Sequence, residues 1–157
     1  VFLFSDTIGN NIAFGQGAAN EQQVRKAAQD AGVREDIDGF EHGFNTMLGE
    51  RGVNLSGGQK QRISIARALV KSPRILFLDD CLSAVDTETE DAILAAIEKQ
   101  EASCTLMVSH RLASLRNADR ILVMDEGKIV ESGTPDELLA AGGLYATMFE
   151  QQKAEQD

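Results

Sequence analysis

Two groups of residues in this chain have the types and spacing to handle a phosphate. The first is Leu55-Ser56-Gly57-Gly58-Gln59. Ser56 followed three residues later by Gln59 has the form of a helix N-cap and its capping-box partner, opening a helix that runs through Lys60 to Val70. Two glycines in the first turn cost helix stability. They also allow close approach to bare backbone N–H groups, at the end where the helix dipole favours an anion. A glycine-rich turn before a surface helix would look the same, so this run does not decide the question alone.

The second group is a pair of polar strand ends. Arg74 to Leu78 is an apolar run after Pro73, and Cys104 to Val108 is another. Each reads as a fully buried strand. They stop at Asp79-Asp80 and at Ser109-His110. In open α/β sheets a ligand lies beyond the carboxyl ends of the strands. An apolar strand ending in Asp fits the metal-holding strand of a nucleoside triphosphatase, so Asp79 is the expected Mg²⁺ ligand. Asp80 is then placed to polarise a water attacking the γ-phosphate, and His110 could touch the same phosphate. Adjacent Asp residues also serve as plain capping loops, and a single His is often only solvated. Their occurrence together, downstream of Ser56 to Gln59, favours phosphate chemistry.

The elements that must position these residues can be read in order. Val1 to Phe4 suggests a short strand or turn edge, and Ile8 to Phe14 a short helix. Asn20 with Gln23 caps a helix that Gly32 closes. Glu35 to Phe40 suggests a further helical turn, and Glu41 to Asn54, with Gly43, Gly49 and Gly52, an irregular stretch. Downstream, Thr87 with Glu90 predicts a capped helix to about Gln100, and Leu112 to Arg116 a short helix. The strand Arg120 to Met124 turns tightly at Asp125-Glu126-Gly127 into Lys128 to Glu131. Thr134 with Glu137 and Pro135 opens a helix that Gly142-Gly143 ends, before a last helix from Leu144. A helical, irregular first half and an alternating strand–helix second half give an α/β fold with parallel strands.

Composition narrows the class. The 157 residues are 43% hydrophobic and 25% charged, suited to a soluble globular domain. The net charge of -10 argues against a nucleic-acid surface, which needs clustered Lys and Arg. Cys81 and Cys104 sit in apolar runs and read as buried, reduced thiols. No stretch is apolar for long enough to span a bilayer, and no signal peptide is visible.

Taken in order, these residues resemble the nucleotide-binding domain of ATP-binding-cassette (ABC) transporters. Leu55 to Gln59 matches the family signature, and Ile75 to Asp79 the Walker B strand. Asp80 stands where the family usually has a catalytic glutamate, and Ser83-Ala84-Val85-Asp86 matches the D-loop, with Val85 in place of the usual Leu. His110 matches the switch histidine. The resemblance implies a partial P-loop NTPase fold: a helical signature subdomain over residues 1–72, then the C-terminal part of the RecA-like core over residues 73–157. It implies ATP and Mg²⁺ as cofactors and a second nucleotide-binding domain, identical or not, as partner. Two such domains pair head to tail, so Ser56, Gly57, Gly58 and Gln59 would act on ATP held by the other domain. Asp79, Asp80 and His110 would act on the chain's own side, and Ser83 and Asp86 would belong to the D-loop. Gly49-Glu50-Arg51-Gly52 resembles the loop by which exporters contact membrane helices, and Phe2 to Ile8 the segment that receives a coupling helix. The expected setting is the cytoplasmic face of a membrane. A soluble ABC ATPase of chromosome maintenance or translation is the rival reading, as is a non-catalytic dimerisation module.

Three departures set further expectations. No Gly-x-x-x-x-Gly-Lys-Ser/Thr occurs, so the chain is expected to be the C-terminal part of a domain that binds ATP weakly, if at all, by itself. Asp80 is one methylene shorter than glutamate, and a misplacement of about 1 Å costs roughly a hundredfold in rate. An intact signature beside a weakened carboxylate suits the degenerate-site half of a heterodimeric exporter. Finally, exposed strand edges and apolar surface are expected to promote self-association.

Overall fold

The structure, a computed structural model, describes residues 1–17, 19–49, 54–100 and 104–154. The chain divides into two units, Val1–Val108 and Ser109–Asp157. This division by compactness is a separate matter from the expected subdivision at 72/73, which concerns how a whole domain would be assembled.

In the first unit the helices come first. Helix α1 spans Ile8–Ala13, and the Thr7 side chain accepts from Asn10 N at its start. Helix α2 spans Glu21–Asp30 behind the expected capping box of Asn20 and Gln23. It ends where Gly32 takes a φ of +63°, a left-handed conformation that suits glycine. Helix α3 covers Arg34–Asp38, and a single 3₁₀ turn covers Gly43–Asn45. Helix α4, Gly57–Leu69, is the centre of the unit and packs on α1 and α2. Its Ile63, Ala66 and Leu69 are buried at helical spacing. On α2, Val24, Ala27 and Ala28 do the same, and Ala31 at its C-cap is buried as well. A fully buried side chain such as Ile63 contributes roughly 1.5–3 kcal/mol by leaving water.

Two strands and a helix complete this unit. Strand β1, Ile75–Asp79, pairs in parallel with β2, Cys104–Val108, with Ile75 opposite Cys104 and Asp79 opposite Val108. Helix α5, Thr87–Glu98, contacts α2. The parallel pair matches the expected α/β architecture.

Four local expectations are corrected. Val1 to Phe4 forms no strand. Neither β1 nor β2 is buried on both faces. Leu76 and Leu78 are 3% exposed, whereas Ile75 and Phe77 stand at 67% and 62%, because only one face of β1 meets the core. Cys104 is exposed and Cys81 only half-buried. The cap of α5 is Asp86 rather than Thr87: its Oδ1 accepts from Thr89 N at 2.9 Å. Asp is among the preferred N-caps, so either residue could have served, and the turn selects the earlier one.

The second unit is built on an antiparallel hairpin of β3, Ile121–Asp125, and β4, Lys128–Gly133, with an irregularity between Val123 and Met124. Glu126 and Gly127 both have positive φ, +45° and +74°, as a tight two-residue hairpin turn requires. Helix α6, Pro135–Ala141, carries the expected Thr134–Glu137 capping box and a left-handed Gly142 at its end. Helix α7 spans Leu144–Ala154. Leu112, Ile121, Val123, Leu138 and Tyr145 form the core. Glu131 on β4 caps α7, accepting from Leu144 N at 2.5 Å and from Tyr145 N at 3.0 Å. A carboxylate at that end also suits the helix dipole.

Candidate functional site

The capping box expected at the start of α4 is present in both directions. Ser56 Oγ accepts from Gln59 N at 3.1 Å, and Gln59 Oε1 accepts from Ser56 N at 2.9 Å. The Ser56 carbonyl accepts from Lys60 N. Gly57 and Gly58 supply the two remaining N–H groups of this first turn, beside a Ser56 hydroxyl whose proton is free to be donated. The approach is open on the Gly57 side, where an added Cβ would meet only Ala84 Cβ, at 3.8 Å. Gln59 is committed elsewhere in this conformation. Its Nε2 donates to Asp36 Oδ1 at 2.9 Å, and Asp36 Oδ2 pairs with Arg62 Nη1 at 2.8 Å. Arg62 also bonds to the Gly32 and Gly58 carbonyls. Gln59 therefore shapes the helix start, and the groups offered outward are Ser56 and the two glycines.

Asp79 ends β1 and is exposed, as is Asp80. Asp80 has a φ of +43°, uncommon for a residue with a Cβ. Its N–H donates to the Val108 carbonyl at 2.9 Å, and its own carbonyl accepts from Ser83 Oγ at 3.1 Å. The chain then passes through buried Leu82 and Val85 to Asp86, which caps α5. That N-cap bond to Thr89, first of all, holds the Asp86 carboxyl below its usual pKa. The Cys81 thiol, next to Asp80, is raised to about 11, mainly by burial and further by the Asp80 and Asp79 carboxylates.

Two loops that sequence reading treated separately meet. Gln61 on α4 bonds to both Ser83 and Ala84, and Gly58 lies against the Ala84 carbonyl. The Ser56–Gln59 helix start and the loop from Asp80 to Asp86 thus form one connected surface within the first unit. His110 belongs to the second unit. It is exposed, and its carbonyl accepts from Gln152 Nε2 at 2.6 Å.

Among the described residues no group of three or more His, Cys, Asp and Glu could hold a metal by itself. Mg²⁺ commonly binds through one or two carboxylates with substrate phosphates completing the shell, so exposed Asp79 fits such a role.

Elsewhere in the first unit, Phe2 to Ile8 and the Met47–Gly49 stretch lie together. Leu48 N donates to the Asp6 carbonyl and Ile8 N to the Thr46 carbonyl, and Thr7 and Met47 form a β-bridge. Gly49 has φ +116°, and a Cβ there would come within 2.6 Å of Ser5 Oγ. Glu50, Arg51 and Gly52 of the expected contact loop lie outside the described residues. A cavity of about 410 Å³ is lined by Val1, Phe2, Leu3, Leu48, Asn54 and Leu55, among others. The Phe2 and Phe4 rings meet edge to face at 5.0 Å, and Phe4 lies 4.3 Å from Phe14. Phe2 and Phe14 are exposed. Sequence reading passed over Phe14, Gln61 and Arg67.

Comparison with known proteins adds identity to this geometry. The family model for the ABC transporter matches residues 3–83. The chain is 48% identical over 153 residues to the ATP-binding cassette sub-family B member 6 of Xenopus tropicalis, covering 97% of this chain and 18% of that protein. It is 50% identical over 158 residues to the ATP-dependent lipid A-core flippase of Aromatoleum aromaticum, covering 99% of this chain and 26% of that one. A solved bacterial Atm1-family ABC exporter with ATP bound superposes with a TM-score of 0.90 at 44% identity, over 96% of this chain and 27% of that one. The chain thus spans 18% to 27% of the length of these relatives. With the family model matched over more than half of its residues, the chain belongs to the ABC transporter family.

Proposed function

We propose that this chain is part of the ATP-hydrolysing motor of an ABC exporter. The observation that carries the reading is the start of α4, where Ser56 Oγ–H and the Gly57 and Gly58 N–H groups face outward from a fixed capping box. These donors receive the γ-phosphate of a nucleotide held by a second nucleotide-binding domain, and Gln59 keeps them in place. On the chain's own side Asp79 would be the carboxylate for Mg²⁺ and Asp80 would orient the attacking water, and His110 would take the role of the switch histidine. Ser83 and Asp86 shape the D-loop between the two. When bound, Mg-ATP supplies the transferable phosphoryl group. The phosphate-cradling Gly-x-x-x-x-Gly-Lys-Ser/Thr is absent from these 157 residues, so the chain alone binds Mg-ATP weakly and does not hydrolyse it. Sub-micromolar binding by titration calorimetry would contradict this.

The partner is a second nucleotide-binding domain. Asp80, shorter than the family's usual glutamate, favours pairing with a different domain whose own site hydrolyses faster. The exporter setting is supported by the named relatives, a flippase and an Atm1-family exporter. It is supported as well by the adjoining Phe2–Ile8 and Gly49 segments and the exposed Phe2 and Phe14 rings beside them, which suit docking of coupling helices at the cytoplasmic face of a membrane. No helix among the described residues is long and apolar enough to cross a membrane itself.

The test is a chimera of the bacterial Atm1-family exporter in which this chain replaces the matching segment. The chimera should hydrolyse Mg-ATP, and Ser56→Ala together with Gly57→Asp should abolish hydrolysis. A folded, ATP-binding chimera that hydrolyses at the same rate with both substitutions would defeat the proposal.

A further inference from the structure

We infer that Gln61 is a positioning residue that joins the phosphate-facing start of α4 to the Asp80 turn. The inference rests on the motor reading above. Gln61 lies one helical turn after Gly57. Its side-chain amide spans the D-loop, with Nε2 donating to Ser83 Oγ at 3.0 Å and Oε1 accepting from Ala84 N at 2.9 Å. Ser83 Oγ donates onward to the Asp80 carbonyl at 3.1 Å. The bonds run in one direction, from amide to hydroxyl to carbonyl, so each donor is used once and each acceptor is met.

Asp80 needs such support. Its φ of +43° is costly for a residue with a Cβ, and such a conformation persists only where the surroundings fix it. The Asp80 N–H is held by Val108 on β2, while its carbonyl is held by Ser83, which Gln61 orients. The carboxylate that orients water therefore takes its backbone position from a residue on the signature helix. A displacement at Ser56–Gly58 reaches Asp80 through two side chains, Gln61 and Ser83.

Gln61→Glu isolates this role. It is nearly isosteric and still accepts from Ala84 N, but it cannot donate to Ser83 Oγ. The Ser83 hydroxyl then turns to the new carboxylate, and the Asp80 carbonyl loses its partner. In the chimera, Gln61→Glu should lower kcat about tenfold, given that a displacement of about 1 Å costs roughly a hundredfold. KM for ATP and Tm should stay near those of the parent. Ser83→Ala should reproduce the loss, and the double variant should be no slower than either single one. Unchanged kcat in Gln61→Glu, or losses that multiply in the double variant, would overturn the inference. A chimera that is inactive with Gln61 intact counts against the motor reading instead. In that event the clamp is judged on the chain itself by hydrogen exchange. Gln61→Ala should speed exchange at the Ala84 amide without changing the amides of α2, and an unchanged Ala84 rate would overturn it.

Discussion

Gly58 and Ala84 stand so close that a Cβ at Gly58 would lie 2.7 Å from the Ala84 carbonyl oxygen. The neighbouring Gly57 has no such constraint, because its added Cβ would meet Ala84 Cβ at an ordinary 3.8 Å. The two glycines of the signature therefore serve different ends. Gly58 lets the backbone at Ala84 pack on the helix. Gly57 leaves the helix start bare.

The Gly57–Gly58 contrast predicts opposite stability effects. Gly57→Ala should keep or raise Tm, since Ala is favoured over Gly in a helix by up to about 1 kcal/mol. Gly58→Ala should lower stability by about 1–3 kcal/mol, the scale of forced overpacking. Both should impair ATP hydrolysis in the exporter chimera, Gly57→Ala without any loss of Tm. Thermal melts beside ATPase rates check this, and equal melting behaviour of the two variants would contradict it.

Arg67 and Asn11 tie the amino-terminal segment to α4. Arg67 Nε donates to the Asn11 carbonyl at 2.8 Å, Nη2 to Asn11 Oδ1 at 2.8 Å, and Nη1 to the Phe2 carbonyl at 3.0 Å. Asn11 is buried and holds the Phe4 backbone through both side-chain atoms. Arg67→Ala should cost about 1–3 kcal/mol, since acceptors in a buried setting lose a charged donor. Arg67→Lys should recover little of this, because an ammonium cannot make the same fork of bonds. Urea unfolding of the three proteins measures it.

The thiols should behave differently. Exposed Cys104 should react readily with a maleimide near neutral pH, while Cys81, raised to about 11 chiefly by burial, should stay protonated and unlabelled. The sign for stability follows. The folded state holds the Cys81 proton more tightly than the unfolded state, whose thiol titrates near its ordinary 9.0. This contribution is complete below pH 9 and declines as pH rises from 9 toward 11. Mass spectrometry of labelled chain and a pH series of melts test both points. A stability that rises over that interval in wild type but not in Cys81→Ser would be the wrong sign.

Asp80→Glu should raise ATP turnover in the chimera, because the added methylene restores the reach usual at this position. In the full-length transporter, beside a partner domain with its own competent site, Asp80→Asn should leave that site's hydrolysis in place; if it instead abolished all hydrolysis, Asp80 would be the working base of both sites, and the degenerate-site proposal would fail.

Local signals in the sequence carried the helices well. Asn20–Gln23, Ser56–Gln59 and Thr134–Glu137 all form the reciprocal caps their spacing predicts, because a capping box is satisfied within four residues. The Asp125–Gly127 turn was legible for the same reason. Burial was less so. An apolar run such as Ile75 to Leu78 reads the same whether one face or two are covered, and here Ile75 and Phe77 face outward. The Gln61–Ser83 bond was invisible because it joins positions 22 residues apart, and no local pattern marks a glutamine that will meet a loop. Glu131 capping α7 across 13 residues is the same kind of omission.

The most direct measurement of the central claim is complementation between two altered exporter chimeras. One carries Gly57→Asp in this chain, and the other keeps this chain intact but has its phosphate-binding loop disabled. Each alone should be inactive. If Ser56 to Gly58 act on nucleotide held by the partner domain, mixed dimers contain one complete site, and hydrolysis should return. Mixed dimers that form yet stay inactive would contradict the account.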